Sequence, residues 1–445
     1  MSRPQFWQTA WAVQRHPHAD KAELQSYQDA RLRRLVLHAY ENVAYYRKLF
    51  DRHRVHPRHI RGTVDLDLIP ISSKQELREQ PSAALTDRSV NPRRLLSVWT
   101  SGSTGEPFMV RRTWLEQGFN VLFRDRCQKA LGLRLTDRIM TVGRGRGHDP
   151  KESKLVGRAM RAIGIHPTLR VDGMAPPEEI VRRLETFRPH MLVALPGVLC
   201  LTADYLLATG RQDIRPRILL VGGEVLTPLM HRRLTEAFGV EPVQTYASHE
   251  FPMMGWECRT SGEIHVCDDA VILEVLRDGR PALPGEDGEV VATNLHAYAM
   301  PFIRYRLADV VTRGSEQCGC GQPFSTIRAI RGRMIDYFSL PDGRRLHPYR
   351  ILERLLPGGD AWIRQYQLLQ DRPDRIVMQV VPSEAPTLEM QERIARAVGP
   401  LLGSGIEFQV RLVEAIPLEP GGKYRHSRSL ISSAYEPGVD AIADV

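Results

Sequence analysis

Four apolar runs, "RIMTVG", "HMLVALPG", "RILLVGGE" and "EPVQTYAS", recur between residues 138 and 248, and each stops at glycine, proline or a small polar residue. Short aliphatic runs without polar alternation suit strands buried on both faces, as in a parallel sheet covered by helices. The segments between them carry helical spacing, so residues 95 to 310 are expected to form α/β units. Within that region "VILEVL" (271–276) and "GEVVATN" (288–294) flank the turn-rich "DGRPALPGED" and read as strands of a β-rich part.

Two further stretches frame this core. Asp20 to Glu23 reads as a capping box opening a helix, with Leu24, Tyr27, Leu32, Leu35, Val36, Ala39 and Val43 on its apolar side. After "IRAIRGRMIDYF" (327–338) the pattern changes. Residues 365–382 look like a hairpin, 387–402 like a helix and 406–413 like a strand, with "EPGGKYRHSRSL" as an exposed loop. A chain of 445 residues accommodates one large domain and one small one. The expected fold class is α/β: a large N-terminal domain of mixed sheets and helices over 1–334, and a small, mobile α+β module over 335–445.

The formal charge of +9, with 61 lysine and arginine against 52 acidic residues, favours anionic partners such as phosphorylated small molecules, or is simply a solvated arginine-rich surface. No zinc-finger, RRM or KH signature accompanies it, so nucleic acid is not an expected partner. No apolar run approaches the ~20 residues of a membrane span. The N-terminus lacks a signal-peptide apolar region, and a cytoplasmic location is the expectation. Six cysteines in so long a chain do not make a disulfide scaffold.

Chemistry concentrates in a few loops. "TSGSTGEP" follows the strand-like "RLLSVW". It is not a Walker loop, because no Gly-Lys-Ser/Thr follows. Gly102 and Gly105 permit unusual backbone angles, while Ser101, Ser103 and Thr104 add hydroxyl donors to backbone N–H groups. The composition fits either a flexible linker or a polyphosphate cradle. "VGRGRGHDP" (142–150) is a basic, glycine-rich stretch that reads as an exposed loop. Separately, Cys258 and His265 in "ECRTSGEIHVC" and Cys318 and Cys320 in "QCGCG" could supply three thiolates and an imidazole to a tetrahedral structural zinc. Cys267 is a spare ligand, and reduced buried thiols are the alternative.

The loop, followed in order by "GGE" (222–224), "YASHE" (246–250), "RYRLAD" (304–309), "GRMID" (332–336) and "GGK" (421–423), resembles the adenylate-forming superfamily, most closely its phenylacetate–CoA ligase-like branch. "ENVAYYRKLF" and "LIPISSKQELRE" are similar to that branch as well. The resemblance implies attack of a carboxylate, here with an aromatic acid expected, on the α-phosphate of ATP. Acyl-AMP then passes its acyl group to the thiol of CoA. The phosphopantetheine of an acyl-carrier protein, or an amine, is an alternative acceptor, and a catalytically degenerate nucleotide-binding scaffold is an alternative of another class. A homodimer is also admitted.

The same resemblance implies roles residue by residue. Thr100, Ser101, Gly102, Ser103, Thr104 and Gly105 would wrap the β- and γ-phosphates. Gly222, Gly223 and Glu224 would line the adenine pocket, and Tyr246 would stack on the base, with Ala247 and Ser248 beside it. Glu250 would hold Mg²⁺, Asp309 the ribose hydroxyls, and Arg333 the ribose or phosphate. Arg304 or Arg306 would be structural, Asp336 would be the hinge, and Lys423 would bridge carboxylate and α-phosphate. Relatives carrying a similar Cys/His set strengthen the zinc expectation. Two departures stand out: His249 replaces a hydroxyl residue and is a further catalytic candidate, and Ala308 stands where many relatives carry glycine.

Overall fold

The computed structural model describes residues 3–99, 108–143, 166–211, 213–333, 338–346, 348, 351, 354, 362–403, 405–418 and 423–431. The triphosphate loop Thr100–Gly105, the basic stretch 144–150, the hinge candidate Asp336 and the glycines 421–422 lie outside them.

The helix Lys21–Asn42 starts where expected, with the Asp20 carboxylate accepting the Glu23 N–H at 2.7 Å. Strands β1 (Leu96–Trp99) and β2 (Met109–Arg112) pair antiparallel with Trp99 opposite Met109, so they bracket the phosphate-loop candidate at its two ends. The apolar runs become β3 (Ile139–Val142), β5 (Met191–Ala194), β6 (Ile218–Gly222) and β7 (Pro242–Tyr246), joined in parallel with β4 (Thr168–Val171). Helices Pro177–Phe187, Pro196–Ala208 and Pro228–Phe238 contribute Val181, Leu199 and Phe238 to the core that also holds Met140, Leu192 and Leu219 of these strands.

The same sheet continues beyond β7 as an antiparallel half: β8 (Gly255–Glu257), β9 (Ile264–Val266), β10 (Val271–Arg277), β11 (Arg280–Pro281), β12 (Asp287–Asn294), β13 (Tyr305–Arg313) and β14 (Thr326–Arg333). The order β11-β10-β12-β13-β14-β9-β8-β7-β6-β5-β3-β4 makes one twelve-stranded sheet whose halves meet at β7 and β8. The loop that leaves β7 therefore emerges at the change of strand direction, where open α/β sheets hold ligands.

The C-terminal residues form a separate sheet. A small pair, β15 (Phe338–Ser339) and β16 (Arg345–Leu346), precedes the expected hairpin β17 (Ile363–Arg372) and β18 (Arg375–Pro382). The helix Leu388–Leu402 and β19 (Glu407–Leu412) follow as expected. The stretch expected to be an exposed loop is not one in its described part. Tyr424 is buried, and β20 (Ser427–Ser429) pairs in parallel with β17, giving the order β19-β18-β17-β20. A three-residue strand with serines at both ends has too little apolar pattern to be legible. No helix among the described residues is long and apolar enough to cross a membrane.

Candidate active site

Glu250 lies just past β7 and is buried. Its backbone carbonyl accepts from the Asn294 amide at 3.0 Å, and its Oε1 faces the Tyr305 hydroxyl at 3.4 Å and Lys74 Nζ at 3.9 Å. The turn before it is closed by Ser248, which donates its N–H to the Phe251 carbonyl and accepts the Phe251 N–H on its hydroxyl. Ala247 and His249 are exposed around that turn, and the His249 carbonyl accepts from Arg112 at 2.6 Å. The His249 imidazole is held below its usual pKa chiefly by desolvation; Glu250 favours its protonation, while Lys423, Arg112 and Lys74 oppose it. Four candidate groups distant in sequence, Lys74, Arg112, Glu250 and Lys423, thus act on one imidazole.

Lys74 and Arg112 were not expected here. The Ser72 N–H donates to the Arg304 carbonyl at 2.9 Å and its carbonyl accepts from Arg306, which ties "ISSK" to the start of β13. Ser73 then caps the short helix Lys74–Arg78 in a reciprocal box with Glu76, leaving Lys74 in its first turn beside Glu250. Arg112 ends β2. Both placements depend on pairings across hundreds of residues, and no local pattern announces them.

Asp309 is delivered by an irregularity in β13. Arg306 and Val310 are four positions apart, while their partners on β12, Val291 and Glu289, are two apart. Ala308 sits inside this bulge at φ +61°, a left-handed conformation that favours glycine. Asp309 is buried, faces Arg333 across the β13–β14 ladder, and accepts from the Tyr246 hydroxyl at 2.8 Å. Arg304 grips Glu274 with Nε and Nη2 and donates to the carbonyls of Asp67 and Ile69, while Arg306 pairs with Glu289, so both arginines are engaged by acidic residues.

The "GGE" turn ends β6. A Cβ on Gly222 would lie 2.6 Å from Thr245 Oγ1 and 2.9 Å from its carbonyl, and Gly223 has φ +80°, so each glycine is required for a separate reason. The Glu224 side chain is committed to two backbone donors: Gly197 N at 2.9 Å and Tyr424 N at 2.6 Å. Lys423, the residue before Tyr424, is half-buried.

The Cys/His set converges. The ligand atoms of Cys258, His265, Cys318 and Cys320 lie within 4.8 Å of one another. Cys318 Sγ is 3.6 Å from Cys258 Sγ, and His265 Nε2 is 3.2 Å from Cys320 Sγ. Tetrahedral zinc would set these at about 3.8 and about 3.6 Å, so the donors fit the ion with small adjustments. Burial raises the Cys258 thiol, but N–H groups of Ser261 and Thr260 with the Ser261 hydroxyl and Cys318 thiol outweigh it and leave it at about 7. Cys267 is not part of the set; it is buried with its sulfur 3.7 Å from Cys127.

Comparison with known proteins matches this architecture. Residues 341–429 match the CapK C-terminal domain family. The phenylacetate–coenzyme A ligase of Thermus thermophilus is 25% identical over 434 residues, covering 91% of this chain and 96% of its own. Over most of its length the chain is similar to the phenylacetate–coenzyme A ligases. Among solved structures, a 2-hydroxyisobutyryl-CoA ligase in the postadenylation state with 2-HIB-AMP superposes at TM-score 0.79 with 20% identity, covering 93% of this chain and 91% of that one. The same ligase in the thioesterification state, at 19% identity and the same coverages, superposes at 0.64. The fold is therefore that of these ligases, and the chain superposes better on the first of the two structures than on the second.

Proposed function

We propose that this protein is an adenylate-forming acid–CoA ligase, with an aromatic carboxylic acid as substrate. The observation that carries the reading is the meeting of Glu250, the Tyr246–Asp309 pair and Lys423, from three distant segments, around one site beside β7. In the first step a carboxylate oxygen of the acid attacks the α-phosphorus of ATP, the bond to the β-phosphate breaks, and pyrophosphate leaves. Negative charge accumulates on the α-phosphate as the new bond forms, so fixed cations at this point lower the barrier. Lys423 would bridge the two anions, while Lys74 and Arg112 add positive charge near Glu250.

Asp309 would hold the ribose hydroxyls with Arg333 nearby, Tyr246 and the "GGE" turn would border the base, and residues 100–105 would clasp the β- and γ-phosphates. His249, mainly neutral at pH 7, would donate to a phosphate or to the acid. Glu250 offers a buried carboxylate that suits Mg²⁺, and that ion would neutralise phosphate oxygens. In the second step the CoA thiolate attacks the acyl carbon and AMP leaves. We further assign residues 1–334 to a large domain and 335–445 to a lid hinged at Asp336, and the Cys258, His265, Cys318 and Cys320 cluster to a structural zinc.

ATP–pyrophosphate exchange across a panel of aryl and aliphatic acids tests the reading. Exchange should appear with an aryl acid and fall steeply, to a measurable residue, in Lys423→Ala; absence of exchange with every acid would favour a degenerate nucleotide-binding scaffold. Comparing CoA with a holo carrier protein and an amine as acceptors then tests the second step.

A further inference from the structure

Lys423 reaches the site through its neighbour. The Tyr424 N–H donates to Glu224 Oε1 at 2.6 Å, and the other carboxylate oxygen accepts the Gly197 N–H at 2.9 Å. Gly197 lies in the first turn of helix Pro196–Ala208, where N–H groups have no intrahelical acceptor, so a carboxylate there is favoured twice over. The contact leaves no room for a side chain on Gly197: an added Cβ would overlap the Tyr424 Cβ and lie 3.1 Å from Glu224 Oε2. Beyond the backbone, the Tyr424 hydroxyl donates to the Tyr366 carbonyl of β17 and accepts the Tyr366 N–H at 3.1 Å. Its ring packs in one apolar cluster with Val198, Leu226, Met230 and Ile416.

We propose that Gly197 and Glu224 form a socket for Tyr424 whose occupation delivers Lys423, so that docking of this tyrosine, rather than the reach of the lysine itself, governs acyl-AMP formation. The inference rests on the ligase reading above. Glu224 is then a positioning residue. Both of its oxygens are taken by N–H donors from opposite sides of the junction, so it acts as a bridge between the body and the C-terminal module.

The chemistry of the bridge makes two variants informative. Gly197 has no positive φ, so alanine is compatible with its backbone and raises helix propensity. Gly197→Ala should therefore leave the helix and the body folded while blocking the socket, and acyl-AMP formation should fall at least about tenfold. Glutamine at 224 offers one acceptor oxygen and turns an NH₂ toward the second N–H, removing one charge-assisted bond. Glu224→Gln should slow acyl-AMP formation about tenfold or more, and should speed hydrogen exchange at the Tyr424 amide. Because Glu224 acts through Lys423, the double variant with Lys423→Ala should lose no more activity than Lys423→Ala alone.

Acyl-AMP formation by a folded Gly197→Ala protein within twofold of the parent, or multiplying losses in the double variant with a raised KM for ATP, would overturn the socket and leave Glu224 as a nucleotide-pocket residue. Failure of the ligase reading looks different: no acid supports exchange in the parent protein. Protection of the Tyr424 amide, and its loss in Gly197→Ala, still reports on the socket in that event, and an unchanged exchange rate overturns it.

Discussion

The Tyr246 hydroxyl donates to Oδ2 of Asp309 at 2.8 Å, joining residues that are 63 positions apart and both buried. One ends a parallel strand and the other rides an antiparallel bulge, so the bond spans the two halves of the sheet. It fixes one carboxylate oxygen and turns the Asp309 head group relative to anything bound beside it. Tyr246→Phe removes this donor and should cost about 1 kcal/mol. In the ligase reading that appears as a several-fold rise in the KM for ATP with kcat little changed, measured by pyrophosphate exchange. An unchanged KM would separate the pair from nucleotide binding.

Ala308 occupies a left-handed conformation at φ +61°. An alanine there carries steric strain that glycine avoids, partly offset by the greater freedom glycine has in the unfolded chain. Ala308→Gly should stabilise the protein by about 0.5–1 kcal/mol, read as a raised urea midpoint at constant m-value. Ala308→Val should lower the midpoint by more. The reverse order would mean that the bulge is not under backbone strain.

The protein purified without chelator should carry about one equivalent of zinc by elemental analysis. A structural zinc contributes folding free energy directly, so its removal should lower the thermal midpoint and free the β8–β9 turn from the β13–β14 connection that Cys318 and Cys320 occupy. Cys320→Ser should lose most of the metal. Finding stoichiometric absence of zinc in the parent would refute the assignment.

Two buried histidines set the acid side of stability. Burial holds His426 at about 4, although its hydrogen bond with the Val225 carbonyl favours the charged form, and burial and Arg31 hold His296 at about 3. Unfolded histidines titrate near 6.5, so between these values the unfolded chain binds protons that the folded one does not. Stability is then full above about pH 6.5 and falls with acidification, by up to about 1.4 kcal/mol per pH unit for each group. The Nδ1 of His426 is buried with no partner among the described residues, so a proton there finds no acceptor among them. Urea unfolding at pH 7.5 and 5.0 should show the loss, and His426→Gln should reduce it. A flat profile in the parent would contradict the argument.

Much of the architecture was legible because burial leaves a composition signature. The parallel strands read as unbroken aliphatic runs, and β17, β18 and the helix Leu388–Leu402 read from their periodicity. The expected site residues were identified from family resemblance, and several of them meet. What the sequence does not carry is how polar groups are spent. Glu224 is a turn residue by pattern, yet its carboxylate is bound to Gly197 and Tyr424. Lys74 looks like a solvated lysine until Ser72 pairs with β13 and brings it to Glu250. His265 and Cys267 were interchangeable as metal ligands in the sequence, because only the path of the chain after β9 turns one sulfur toward Cys127 instead.

The pairing of β20 with β17 has a mechanical consequence. Lys423 precedes Ser427 by four residues, a tether of at most about 14 Å when fully extended. The Tyr424 hydroxyl is itself fastened to Tyr366 of the same sheet, which shortens the tether further. The ammonium group has little travel of its own and keeps time with the sheet that carries it. Any displacement of that sheet by more than the tether's length would therefore withdraw the positive charge with it.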